Sequence, residues 1–221
     1  MLPNLPDVAL LTIFDFYMDK VPIEAWHTLV HVCQKWRIVV FGSPRRLDLR
    51  LHCTARTPVR EVLDIWPLLP IVVGADGLRK WGVDNIFAAL EYNNRVCELS
   101  LIDSGVSSSQ WEKVFSVMQQ PFPALKRLLL QPVDETTPVD PDSFLGGSAP
   151  SLQMLSLHDI PFPGLPKLLL SATHLVHLDL YIPHSGYISP EVMVTCLSAL
   201  TRLEKLEIGF KSRRSRPDTR S

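Results

Sequence analysis

Apolar positions recur at helical spacing near the start of the chain. Leu10, Leu11, Ile13 and Phe14 follow Pro6-Asp7, and the Asp7 carboxylate reads as an N-cap for the free amides of a first turn. Pro22 interrupts. Trp26, Leu29, Val30 and Cys33 fall at steps of three and four and predict a second helix from Ile23 to about Val32. Trp36, Val39, Val40 and Phe41 continue the apolar pattern until Gly42-Ser43-Pro44 breaks it.

Beyond Pro44 the pattern changes to short apolar strands. The unit L-x-x-L-x-L occurs at Leu125–Leu130, Leu152–Leu157, Leu175–Leu180 and, ending in Ile, Leu203–Ile208. Val96–Leu101, Leu68–Val73 and Pro44–Leu49 are weaker variants. Successive copies start 23 to 29 residues apart, within the roughly 20–29-residue period of leucine-rich repeats. Side chains alternate faces in a strand, so the fourth and sixth residues of each hexamer point inward and the third and fifth outward. One unit cannot bury its own apolar face, so copies are expected to stack on a shared core.

The connecting segments predict helices. Thr57-Pro58 is a cap before Val59, Val62, Leu63 and Trp66; Val83, Ile86, Phe87 and Leu90 form another face. Ser109-x-x-Glu112 reads as a capping box, and Ser189-Pro190 opens a helix carrying Val192, Cys196, Leu197 and Leu200. Residues 131–150 and 161–167 read as helix-poor, and Gly146-Gly147 as a loop hinge. The ninth repeat position holds Ser104, Val133, Ile160 and Pro183 instead of Asn or Cys, so the solenoid is expected to be irregular.

Composition narrows the function. Hydrophobic residues are 46% and charged residues 20%, enough for a packed core. A net charge of −1 argues against a nucleic-acid binder that works by phosphate neutralisation. The longest apolar runs are too short to span a bilayer, and no basic region precedes an apolar start. Cys33, Cys53, Cys97 and Cys196 form no C-x-x-C pair and read as buried free thiols of a reducing compartment. Nineteen prolines against ten glycines point to stiff connections.

LPDVALLTIF, then WHTLVHVCQKWR, then FGSPRRLDL, resembles the F-box. Leu5, Pro6, Leu10, Leu11, Ile13, Phe14, Leu29, Val32, Cys33 and Trp36 occupy the matching positions. The run through SPRRLDLRL and CTARTPVREVLDIWP into the later repeats is similar to basidiomycete-type fungal F-box proteins with leucine-rich repeats. The resemblance implies an α+β chain: a three-helix F-box (1–49), an irregular leucine-rich-repeat α/β solenoid (50–210) and a basic tail (211–221). Nothing caps the last repeat, so a truncated form is expected.

The implied function is that of a substrate receptor in an SCF-type cullin–RING ubiquitin ligase. The ten F-box positions would meet a Skp-type adaptor, which binds the cullin, and the repeats would hold a protein substrate. Three helices cannot hide all of Leu5, Pro6, Leu10, Ile13, Phe14, Val32 and Trp36, and exposed apolar patches mark interaction sites. The outward positions Glu98, Ser100, Arg127, Leu129, Met154, Ser156, His177, Asp179, Lys205 and Glu207 form the candidate substrate stripe. The alternative is an interaction scaffold, or a fragment, that joins no ligase. The expected compartment is cytoplasm, nucleus or both.

Catalytic chemistry has no motif. G-x-S-x-G, G-x-x-x-x-G-K and G-x-G-x-x-G are absent, so neither an enzyme nor a cofactor is expected. His27 and His31 have metal-pair spacing without completing ligands. Asp134, Glu135, Asp140 and Asp142 lack a calcium-loop pattern and read as a solvated acidic loop. Lys211, Arg213, Arg214, Arg216 and Arg220 form a basic tail that reads as a disordered linker, with nuclear targeting or a nucleic-acid patch as the alternative.

Overall fold

The structure, a computed structural model, describes residues 5–20, 25–54, 56–76, 83–102, 107–132 and 143–210. Three helices come first: α1 (Asp7–Met18), α2 (Trp26–Val32) and α3 (Gln34–Gly42). Strands and helices then alternate as β1 (Leu51–Cys53), α4 (Val59–Ile65), β2 (Ile71–Asp76), α5 (Val83–Leu90), β3 (Val96–Ile102), α6 (Ser108–Val117) and β4 (Arg127–Gln131). A 3-10 turn at Phe144–Gly147 leads to β5 (Met154–His158), α7 (Leu165–Ser171), β6 (His177–Ile182), α8 (Pro190–Ala199) and β7 (Lys205–Phe210).

All seven strands form one parallel sheet in chain order. Parallel neighbours cannot be joined by a tight hairpin, so each connection must cross over and return, which the intervening segments do. The register is regular except for one shift between Ile71 and Val72, where β2 meets β3. Cys53, Val73, Leu99, Leu128, Leu155, Leu178 and Leu206 make one row across the whole sheet. The first six are 0% exposed and Leu206 is 45% exposed. The opposite face is partly open and largely polar, with Glu98, Arg127, His177 and Lys205 in one row.

The expected fold class is therefore corrected. The chain is not an α+β arrangement of a three-helix F-box followed by an irregular leucine-rich-repeat solenoid; it is α/β, a single seven-stranded all-parallel sheet alternating with helices. The N-terminal helices pack on one another, α1 and α2 both against α3, and also join the sheet's core. Phe14, Trp26 and Val40 lie in the same continuous apolar cluster as Leu51 and Val73. The Trp26 indole Nε1 donates to the Arg50 carbonyl at 3.0 Å, just ahead of β1. Trp66, which follows α4, meets Trp26 edge-on at 5.2 Å. Local periodicity reports which face of an element is apolar, but not which neighbour covers it.

Several local expectations are corrected too. Asp7 is the first residue of α1 and Pro6 its N-cap; the Asp7 carboxylate sits in the first turn, where the helix dipole favours it. The weakest hexamer, Pro44–Leu49, is a turn: Leu49 N donates to the Pro44 carbonyl at 2.9 Å and Asp48 takes φ 45°. The capping box is Ser107 with Gln110, whose Oε1 accepts from Ser107 N at 2.9 Å, because α6 starts at Ser108. Residues 161–167 are not helix-poor, since α7 begins at Leu165 and buries Leu165, Leu168 and Leu169 at helical spacing. Gly146 and Gly147 adopt φ 67° and 75° within the 3-10 turn, and a Cβ at Gly146 would sit 3.0 Å from Pro121.

Candidate protein-interaction surfaces

The three N-terminal helices present one candidate surface. Of the ten residues singled out there, Leu10, Phe14 and Leu29 are buried, and Leu11 and Trp36 are half-buried against the core. Leu5, Pro6, Ile13, Val32 and Cys33 are exposed. Cys33 thus departs from the expected buried thiol; Cys53, Cys97 and Cys196 are buried, and all four are free. The geometry follows from the helix period. Val8, Thr12 and Phe16 stack four apart on the outer face of α1, while Leu10 and Phe14 face inward.

Sequence reasoning missed part of this surface. Val8, Phe16 and Ile38 are exposed large apolar residues, with Phe16 65% exposed. The signal was present in the eight-residue spacing of Val8 and Phe16, two steps of four, but the inward face drew the reading. The surface is braced from beneath: Phe14 and Trp36 meet edge-on at 4.9 Å, and Lys35 Nζ donates to the Leu5 carbonyl at 2.5 Å and lies 3.7 Å from Asp7. Arg46 pairs with Asp15 at 2.7 Å and fixes the other end of α1.

The polar face of the sheet is the second surface. Strand pairing brings the ten outward residues into two rows: Glu98–Arg127–Met154–His177–Lys205 and Ser100–Leu129–Ser156–Asp179–Glu207. Cross-strand neighbours interact. Arg127 lies 3.9 Å from Glu98 and 3.7 Å from the Met154 sulfur. Ser156 is buried, and its hydroxyl donates to Asp179 at 3.0 Å. His158 Nε2 lies 2.9 Å from the same carboxylate. The serine is bonded to the aspartate and not to the histidine, so this trio is a cross-strand brace and lacks the nucleophile–base geometry of a hydrolase. Lys205 and Glu207 pair at 2.5 Å along β7.

Residues that the hexamer pattern overlooked extend this face. Arg50, one residue before β1, bonds Asp48 at 2.7 and 3.2 Å and pairs with Glu98. The Asp48 hydrogen bonds raise the Arg50 pKa, so its charge is secure. Tyr181 extends the face beside His158 and lies over Gly209, where an added Cβ would meet its Cδ2 at 2.6 Å.

The remaining sequence candidates resolve differently. His27 stacks on Trp66 at 5.2 Å and His31 meets the same ring edge-on at 6.1 Å, so both belong to an aromatic cluster. Among the described residues no group of three or more His, Cys, Asp or Glu could hold a metal ion. Asp134, Glu135, Asp140, Asp142 and the basic residues from Lys211 to Arg220 lie outside the described residues. Among the described residues no helix is long and apolar enough to cross a membrane. No protein-family model matches this chain, and neither does any curated protein.

Proposed function

We propose that the chain is a substrate receptor of an SCF-type cullin–RING ubiquitin ligase: a binding protein, not an enzyme, that acts in the cytoplasm, the nucleus or both. The N-terminal helices dock a Skp-type adaptor, which connects to the cullin. The polar face of the sheet holds a protein substrate. The observation that carries this reading is the exposed apolar set on α1 to α3 and the residues leading into them, namely Leu5, Val8, Ile13, Phe16, Val32 and Ile38. Water contact with so much apolar surface is unfavourable, and a helical partner would relieve it. The likeness of Leu5-Pro6, Ile13-Phe14 and Val32-Cys33-x-x-Trp36 to F-box sequences gives that partner its identity. The two mixed rows of the sheet suit a protein ligand, since they alternate acidic, basic and apolar groups instead of offering one charge sign.

The test is capture of a purified Skp-type adaptor by the full chain. Ile13→Asp with Phe16→Asp should weaken capture at least about tenfold, because both side chains are exposed and a charge in a docked apolar patch is costly. Thermal unfolding of that variant should stay near wild type. A wild-type chain that ignores the adaptor disproves the reading.

A further inference from the structure

The entry ends of the first strands surround a cavity of about 390 Å³, within the size range of small-ligand pockets. Arg50 precedes β1, Pro70 precedes β2, Arg95 precedes β3 and Lys126 precedes β4, and all four line it. Parallel pairing of neighbouring strands brings these positions together although they lie up to 76 residues apart.

The three cations differ in how they are compensated. Arg50 is held by Asp48 and Glu98. Neither Arg95 nor Lys126 belongs to an ion pair among the described residues. Arg95 is anchored on neutral groups: Nε and Nη2 donate to the Leu69 carbonyl at 3.1 and 2.9 Å, and Nη2 reaches the Pro67 carbonyl at 3.4 Å. Burial without a carboxylate lowers its pKa. The fold has removed part of the water from this guanidinium and fixed its direction without supplying a counter-charge. The walls also carry apolar surface, including Leu68, which is 85% exposed.

We infer that this cavity binds a compact organic carboxylate, with Arg95 and Lys126 receiving the carboxylate and Leu68, Leu69 and Pro70 covering its apolar body. Asp48 stands on the same wall and disfavours a dianion. It adopts φ 45°, a left-handed conformation that non-glycine residues adopt at a cost, and its carboxylate keeps Arg50 occupied. The acid could be a free small molecule or an acidic side chain of a protein, and the recognising chemistry is the same.

The experiment uses the full chain and four probes in calorimetric titration: N-acetyl-leucine, N-acetyl-leucinamide, inorganic phosphate, and a peptide with blocked ends carrying one internal glutamate. The free acid should saturate, with the amide at least about tenfold weaker, since a partly desolvated cation discriminates by charge. Lys126→Gln should weaken the acid about tenfold while leaving unfolding unchanged, because its side chain is exposed. Asp48→Asn, which keeps the left-handed backbone accessible, should strengthen binding about threefold by removing a like charge. Peptide binding would assign the site to a protein partner, and binding of the acid alone would assign it to a small molecule. Equal binding of acid and amide, no saturation by either acid, tighter binding of inorganic phosphate, or indifference to Lys126→Gln overturns the inference. Adaptor capture by Lys126→Gln should be unaffected, so this site and the adaptor surface stand or fall separately.

Discussion

The two ends of the sheet are built from the same row yet live in different surroundings. At the first end, Leu51 and Cys53 of β1 are buried in the core that the N-terminal helices share, with Trp26 hydrogen-bonded to the adjoining backbone. At the other end, Leu206 and Phe210 of β7 are exposed and Ile208 is half-buried, although Leu206 and Ile208 continue rows that are closed at Leu178 and Leu180. Both strands alternate apolar residues (Leu51 and Cys53, Leu206 and Ile208), so the difference is one of neighbours. A leucine in this sheet is buried by what flanks its strand on both sides, and its sequence context only decides which face it takes.

That contrast can be broken most directly by truncation. Leu128→Ala should cost about 3 kcal/mol in denaturant unfolding, while Leu206→Ala should cost under about 1 kcal/mol. Equal costs would mean that the β7 edge is covered in solution. Alkali should separate the ends next. Burial raises the Cys53 thiol to about 11 from its ordinary 9. Its proton is kept in the folded state and lost in the unfolded one across that window, so stability falls as pH rises from about 9 toward 11, by roughly 1 kcal/mol per pH unit. Cys53→Val should flatten that slope; Cys33, exposed at the α2–α3 junction, should be the first thiol to react with a thiol reagent at pH 8. Gly209→Ala, which drives a methyl against Tyr181, should cost about 1 kcal/mol, recovered by pairing it with Tyr181→Ala. Gly74 in β2, with nothing within 4 Å of a built Cβ, should accept alanine within about 0.5 kcal/mol.

Much of this architecture was legible and some was not, for identifiable reasons. Six of the seven strands lie in or begin within the hexamers, because alternation of leucines states both the strand and its buried face. The helix after Ser189 was signalled by its cap, whereas Thr57 does not cap α4, whose N-cap is Pro58 and whose first residue is Val59. The class was misread because Gly42-Ser43-Pro44 looks like a boundary between modules, whereas the chain there makes a tight turn and the core runs through. The turn around Asp48 depends on a left-handed residue and a bond to Arg50, which no period encodes. The two polar rows of the sheet were readable as outward positions. The exposed face of α1 was singled out only at Ile13; Val8 and Phe16 were not, since an apolar residue on a helix is read first as core. The charged cavity needed the register between distant strands, which only the folded sheet supplies.

Because Trp26 ties the helices to the backbone entering β1, the sheet works as a ruler with its zero mark at the helices. Adjacent strands stand about 4.8 Å apart, so the seventh lies about 30 Å from the first. If the helices are clamped by an adaptor, the strand that grips a cargo sets its distance from whatever acts on it. Moving a binding residue by one strand along a row would shift that cargo by one graduation without altering either grip.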